Sequence, residues 1–471
     1  MVFSSVPFLF YFLPALIALY FASPWKNEVL LAMSLFFYAW GEGTYVAIIL
    51  ASIAANHGFA KALSHTDGRR RKWLLGAGIG ANLALLGSFK YAGFATANVA
   101  ALVGADGAAW VVEAHLPLGI SFFTFQAMSY LIDIYRRDAE PPRSIFTTAL
   151  YIALFPQLIA GPIVRYKTIA TQLVKRRHGA RKFAAGVQFF IIGLGQKVLI
   201  ANVAAGPADR IFALDASDLS FAVAWAGAVA YAIQIFFDFA GYSNMAIGLG
   251  LMFGFRFPRN FNYPYTAQSV TEFWRRWHIT LSQWFRDYVY IPLGGNRAGP
   301  WRTYANLTLV FLLCGFWHGA AWTFVFWGAW HGAFLVIERV GLAALLKRAW
   351  RPVRHIYLLL AVILGWVLFR ADSLGEAGGY YAAMFGFGAA DNAFSDPRLY
   401  FSDGVRNVLI AGALLATPLA ERAIRWSRQA MPPVLRSQSV NAAWAGLFVL
   451  LFVSATSIAG GAYNPFIYFR F

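Results

Sequence analysis

The dominant constraint on this chain is a succession of apolar stretches, most of them long enough to cross a lipid bilayer. A spanning helix needs roughly 20 largely apolar residues. Stretches of this kind run over 3–22, 28–43, 44–62, 72–94, 116–135, 183–205, 220–250, 355–371, 404–421 and 441–461. Apolar residues make up 59% of the 471 positions and charged residues only 13%. A soluble domain ordinarily carries about 25% charged residues, and half that number cannot cover its surface. In lipid, every backbone polar group must be satisfied within the protein. The chain is therefore read as an all-α polytopic membrane protein, with roughly 10–12 transmembrane helices plus re-entrant elements. Disordered, collagen-like and disulfide scaffolds are excluded, and the lone Cys314 has no partner for an internal bridge.

The charge that remains is unbalanced. Lys and Arg number 39 against 21 Asp and Glu, a net charge of +18. Such a balance suits nucleic acid or the inner loops of a membrane protein, and placement decides between them. Basic residues cluster between the apolar stretches, at Arg69–Lys72, Arg136–Arg143, Arg165–Lys182, Arg256–Arg302, Arg339–Arg354 and Arg422–Arg436. By contrast 95–116 has no Lys or Arg, and 372–403 is acidic on balance. This alternation is the positive-inside pattern. No soluble domain offers a basic surface, so nucleic acid is not expected as a partner.

Two apolar stretches break the alternation. Both 144–164 and 304–338 are flanked by basic residues at each end, so each must return to the side from which it came. Irregular backbone at membrane depth survives only where protein or a cavity covers it. Pro156, Gly161, Pro162, Gly315, Gly319 and Gly328 are suitable breakers. The opening stretch lacks the basic region of a signal peptide and reads as the first span. The whole chain, 1–471, reads as a single membrane domain.

Polar groups inside apolar stretches are candidate functional groups, and three constellations stand out. The first runs from Glu272 to Tyr288. Trp274, His278, Leu281 and Phe285 recur at helical spacing, which predicts an amphipathic helix at the cytoplasmic interface. The second is Gly315-Phe-Trp317-His318-Gly319, followed by Trp327, Trp330, His331 and Gly332. A buried neutral imidazole can take up a proton, and a following glycine lets a ligand or backbone approach closely. His318 is the best general-base candidate; the plainer alternative is a packed, hydrogen-bonded histidine, a reading that fits His331 better. The third is Gln234, Asp238 and Tyr242, four residues apart and on one helix face. Asp238 could orient a histidine, pair with an interface arginine, or belong to a structural network. The His/Trp-rich pattern lacks the carboxylates of a metal site, so none is expected.

The same segments resemble the membrane-bound O-acyltransferases, most closely the bacterial subgroup of alginate O-acetylation. The resemblance is carried by Pro117–Gln126, Leu158–Arg165, Phe237–Ser243, Glu272–His278, Tyr290–Arg297, Phe316–Gly319 and the closing Asn464–Phe471. It implies a membrane funnel or tunnel, with a catalytic core at about 116–340. It implies His318 as the active-site histidine and His278 as the second motif position, with His331 in support; Asp238, Gln234, Tyr242 and Trp317 are further candidate supporting residues from the patterns above. It further implies no bound cofactor, acetyl-CoA or another thioester as acyl donor, a periplasmic acceptor or relay protein as partner, and a bacterial inner membrane location. Arg275 and Arg276 could attract an anionic donor. Direct transfer and a covalent acetyl-His both fit. The alternatives are a conduit for acyl groups without chemistry, D-alanyl transfer to teichoic acid, and a scaffold within a secretion complex.

Overall fold

The computed structural model describes residues 1–104, 115–388, 392–461 and 463–465. Most of the closing motif, 466–471, and part of the 95–116 and 372–403 stretches lie outside the described residues. Among the described residues the regular elements are all helical. The chain divides into two compact units, Met1–Phe190 with Met245–Pro258, and Ile191–Asn244 with Arg259–Phe471.

The first unit opens with a π-helical turn, Pro7–Phe12, that leads into α1 (Leu13–Ala22). There follow α2 (Lys26–Glu42), α3 (Val46–Ser64), α4 (Gly68–Leu86), α5 (Ala92–Val103), α6 (Ile120–Arg136), α7 (Ile145–Ala153), α8 (Phe155–Leu158) and α9 (Tyr166–Val174). The next helix, α10 (Ala180–Gly195), begins in this unit. Its core is a knot of phenylalanines: Phe3 and Phe8 lie 4.9 Å apart between ring centroids, Phe37 and Phe155 5.4 Å.

The 144–164 stretch is not one continuous helix. At nine residues, α7 rises only about 13 Å, well short of a bilayer core of about 30 Å. The backbone beyond it is irregular yet buried throughout, and nearby side chains serve its polar groups. Gln157 Nε2 donates to the Tyr151 carbonyl at 2.6 Å, and the Tyr151 hydroxyl donates to the Val164 carbonyl at 3.0 Å.

In the second unit a π-helical segment, Gln196–Ala201, continues α10 into α11 (Asn202–Phe212), followed by the long α12 (Phe221–Met252). Then come α13 (Val270–Trp274), α14 (Ile279–Phe285), α15 (Pro300–His318), α16 (Trp322–Ile337), α17 (Ala343–Arg348), α18 (Arg351–Arg370), α19 (Leu374–Met384), α20 (Asp403–Leu415), α21 (Leu419–Ala430) and α22 (Pro433–Ala459). Among the described residues six helical runs are long and apolar enough to cross a membrane, and the pair α20 and α21, bent by 67°, makes a seventh if counted as one broken span. The predicted spans 72–94 and 116–135 fall largely on α4 and α6, which are shorter or more charged. Among the described residues the helical runs of full spanning length and apolarity thus number six or seven, fewer than the roughly 10–12 transmembrane helices expected.

The 304–338 stretch is a helical hairpin, α15 and α16, reversing at Gly319–Ala321. Glycine makes the close packing possible. A Cβ on Gly315 would stand 2.2 Å from the Phe324 carbonyl oxygen, and one on Gly328 2.3 Å from that of Phe311. Gly315→Ala must force the helices apart, at a cost of about 1–3 kcal/mol. A lowered Tm of the detergent-solubilised protein is expected; an unchanged Tm would mean the hairpin relaxes freely.

The predicted continuous amphipathic helix over 272–288 is corrected. The segment breaks into α13 and α14, and a π-helical turn, Arg286–Tyr290, follows. The break falls at His278, whose backbone is left-handed (φ 42°, ψ 52°). Its cause is a competing partner for the backbone. Asn262 N–H donates to the Arg276 carbonyl, and Ile279 N–H donates to the Asn260 carbonyl, each at 2.9 Å.

Candidate active site

His318 is the last residue of α15. Its side chain is buried at 7% exposure. The rings of Trp317, Trp327 and Phe369 surround it edge-on, with centroids at 4.9, 5.1 and 5.2 Å. The last carbonyls of a helix lack intrahelical partners and carry its partial negative charge. A proton acquired by this imidazole would therefore be held next to the negative end of a 19-residue helix.

His278 reaches the same place from the α13–α14 break. Its ring is fully buried, with the edge of Phe239 from α12 at 4.6 Å. The His278 and His318 ring centroids are 6.4 Å apart, and Trp317 lies near both. A left-handed non-glycine backbone costs about 1–3 kcal/mol and persists only where its surroundings over-determine it. Here ties on both sides do so. Downstream, the Thr280 hydroxyl donates to Asn260 Oδ1 at 2.9 Å. Upstream, α13 is capped by Ser269 Oγ, which accepts from Glu272 N–H. It is also gripped by the buried carboxylate of Glu338, just beyond α16. That carboxylate accepts from Val270 N–H at 2.6 Å, Thr271 N–H at 2.9 Å and the Tyr357 hydroxyl at 3.0 Å.

The other expected residues sort into layers. His331 is fully buried on α16 and accepts at Nδ1 from the Trp274 indole N–H at 3.4 Å. Trp327 packs against both it and His318, with centroids 5.0 and 5.1 Å away; His331 thus supports the wall behind the pair. Gln234, Asp238 and Tyr242 share the buried face of α12 as expected. The cation beside Asp238 is a correction: the carboxylate lies 2.8 Å from Lys197 Nζ, both side chains 2% exposed or less. Lys197 stands inside the apolar stretch 183–205, away from the basic clusters at the rim. Arg276 is tied to Glu272 at 2.6 Å, whereas Arg275 is exposed.

Residues missed from the sequence are Lys197, Glu338, Phe239, Phe369 and above all Asn260. A lone charge within an apolar run flags Lys197. Asn260 lies in Pro258-Arg-Asn-Phe-Asn, between a span and the histidine motif, and nothing in its spacing points to His278.

The comparisons with known proteins identify the family. The model of the membrane-bound O-acyltransferase family matches residues 109–374, a region that contains both histidines, the break and the hairpin. The chain belongs to the membrane-bound O-acyltransferase family. Among its relatives, a probable alginate O-acetylase AlgI of Pseudomonas putida is 43% identical over the full length of both chains. Another, of Azotobacter vinelandii, is 46% identical over 82% of this chain and 79% of its own length. A peptidoglycan O-acetyltransferase of Helicobacter pylori is 38% identical over 80% of this chain and 78% of its own. The protein is thus a multi-pass membrane enzyme, and its reaction class is O-acyl transfer.

Proposed function

We propose that this O-acyltransferase moves an acetyl group from acetyl-CoA to a hydroxyl, serving O-acetylation of an exported polysaccharide such as alginate at the bacterial inner membrane. The observation that carries this reading is the meeting of His278 and His318, 40 positions apart in sequence, in one buried aromatic chamber. The names of its relatives, alginate and peptidoglycan O-acetylating proteins of which one aligns end to end, support an acetyl group and a polysaccharide substrate.

The donor approaches from the basic cytoplasmic side, where exposed Arg275 attracts its phosphates. His318 takes the hydroxyl proton as the oxygen attacks the thioester carbonyl. The carbon–sulfur bond breaks, the ester forms, and the proton held by His318 leaves on the thiolate as free thiol. His278 positions the reacting groups. The immediate acceptor is a hydroxyl on a periplasmic relay protein or on the sugar itself. Purified protein, given acetyl-CoA labelled in the acetyl group and a hydroxyl acceptor, is expected to form labelled ester with release of one thiol per acetyl. Label crossing a vesicle membrane without thiol release would identify a conduit. Transfer only from a carrier-bound D-alanyl thioester would identify the teichoic acid reaction.

A further inference from the structure

The hydrogen bonds around His278 determine which of its nitrogens carries the proton. Asn260 Oδ1 receives the Thr280 backbone N–H at 3.3 Å and the Thr280 hydroxyl at 2.9 Å. A backbone N–H can only donate, so the atom facing it is the amide oxygen and not the nitrogen. The amide's other end agrees, because Asn260 Nδ2 donates to Ser243 Oγ at 3.1 Å. His278 Nδ1 lies 3.1 Å from that same Oδ1. An amide oxygen can only accept, so Nδ1 must hold the hydrogen. The neutral ring then presents Nε2 as a bare lone pair. Nε2 is buried and makes no hydrogen bond among the described residues.

We infer that Asn260 is a positioning residue that holds His278 in its Nδ1–H form, so that Nε2 acts as an acceptor on the proton side of the reaction. This deepens the acyl-transfer reading and rests on it. A neutral His278 in this form cannot donate to the oxyanion of the tetrahedral intermediate. It accepts a hydrogen bond instead, from the attacking hydroxyl as His318 takes its proton or from the His318 imidazolium that results, whose centroid is 6.4 Å away. The arrangement follows the general pattern in which a third group orients a base. His331 shows the opposite bonding: its Nδ1 accepts from Trp274, which puts the hydrogen on Nε2. The two buried histidines are thus held in different tautomers by their neighbours.

The test reads the tautomer directly. In protein labelled with ¹⁵N-histidine, with His278→Gln used to assign the signal, His278 is expected to be neutral with its hydrogen on Nδ1. In Asn260→Leu, which has nearly the same shape and no acceptor, the Nε2–H form should appear. In the same variant kcat should fall about 10²-fold, as for a misplaced catalytic group, with KM within a few-fold. Ser243→Ala, which removes only the amide's other bond, should retain the wild-type tautomer. An Nε2–H signal in the wild type would overturn the inference, and so would an unchanged tautomer and kcat in folded Asn260→Leu. Failure of the wild type to transfer acetyl would sink the acyl-transfer reading while leaving the tautomer measurement intact.

Discussion

His318→Ala, inserted normally in the membrane, is expected to lower turnover about 10²- to 10⁴-fold, the range a positioned base contributes. The expectation rests on where the ring sits. It closes a 19-residue helix at the end that favours a positive charge, and its aromatic walls keep it 7% exposed. Alanine leaves those walls and the hairpin turn in place, so the loss should fall on kcat with little change in Tm. His318→Gln keeps much of the volume and cannot take up a proton; it should be as inactive as alanine. Labelled-acetate transfer by membranes containing equal amounts of each variant decides the matter. Activity near wild type in His318→Gln would show that the ring only fills space.

Lys197→Met is expected to be the most destabilising of the substitutions considered. It leaves Asp238, 1% exposed in its side chain, without its cation at 2.8 Å. Removing one member of a buried ion pair typically costs about 3–5 kcal/mol, because the other charge is stranded. The same reasoning gives a second outcome. The double replacement Lys197→Met with Asp238→Leu removes both charges and should recover most of the lost stability. Thermal unfolding of the three variants in one detergent measures this. A double variant no more stable than Lys197→Met would show that the two side chains do not act as a pair.

The class of fold was legible because lipid leaves so few options. The apolar stretches marked the helical membrane class, the failure of charge alternation at 304–338 anticipated the helical hairpin, and the breakers at Gly315 and Gly328 proved to be points of helix contact. Helical spacing misled at 272–288. The apolar stripe there is real, but Asn260 and Asn262 offer the backbone better partners than a continued helix would, and no local pattern announces a competitor lying outside the segment. Burial and glycine singled out His318 as a candidate without revealing the partner of Asp238. Lys197 approaches it from 41 positions away, and such pairings are set by packing that a linear pattern does not encode.

Glu338 gives the site a mechanical property. Its carboxylate joins the end of the hairpin to the first turn of α13, so the strands of chain bearing the two imidazoles share one mount. If the hairpin tilts as the enzyme turns over, both rings travel with it, and their spacing is insulated from the motion.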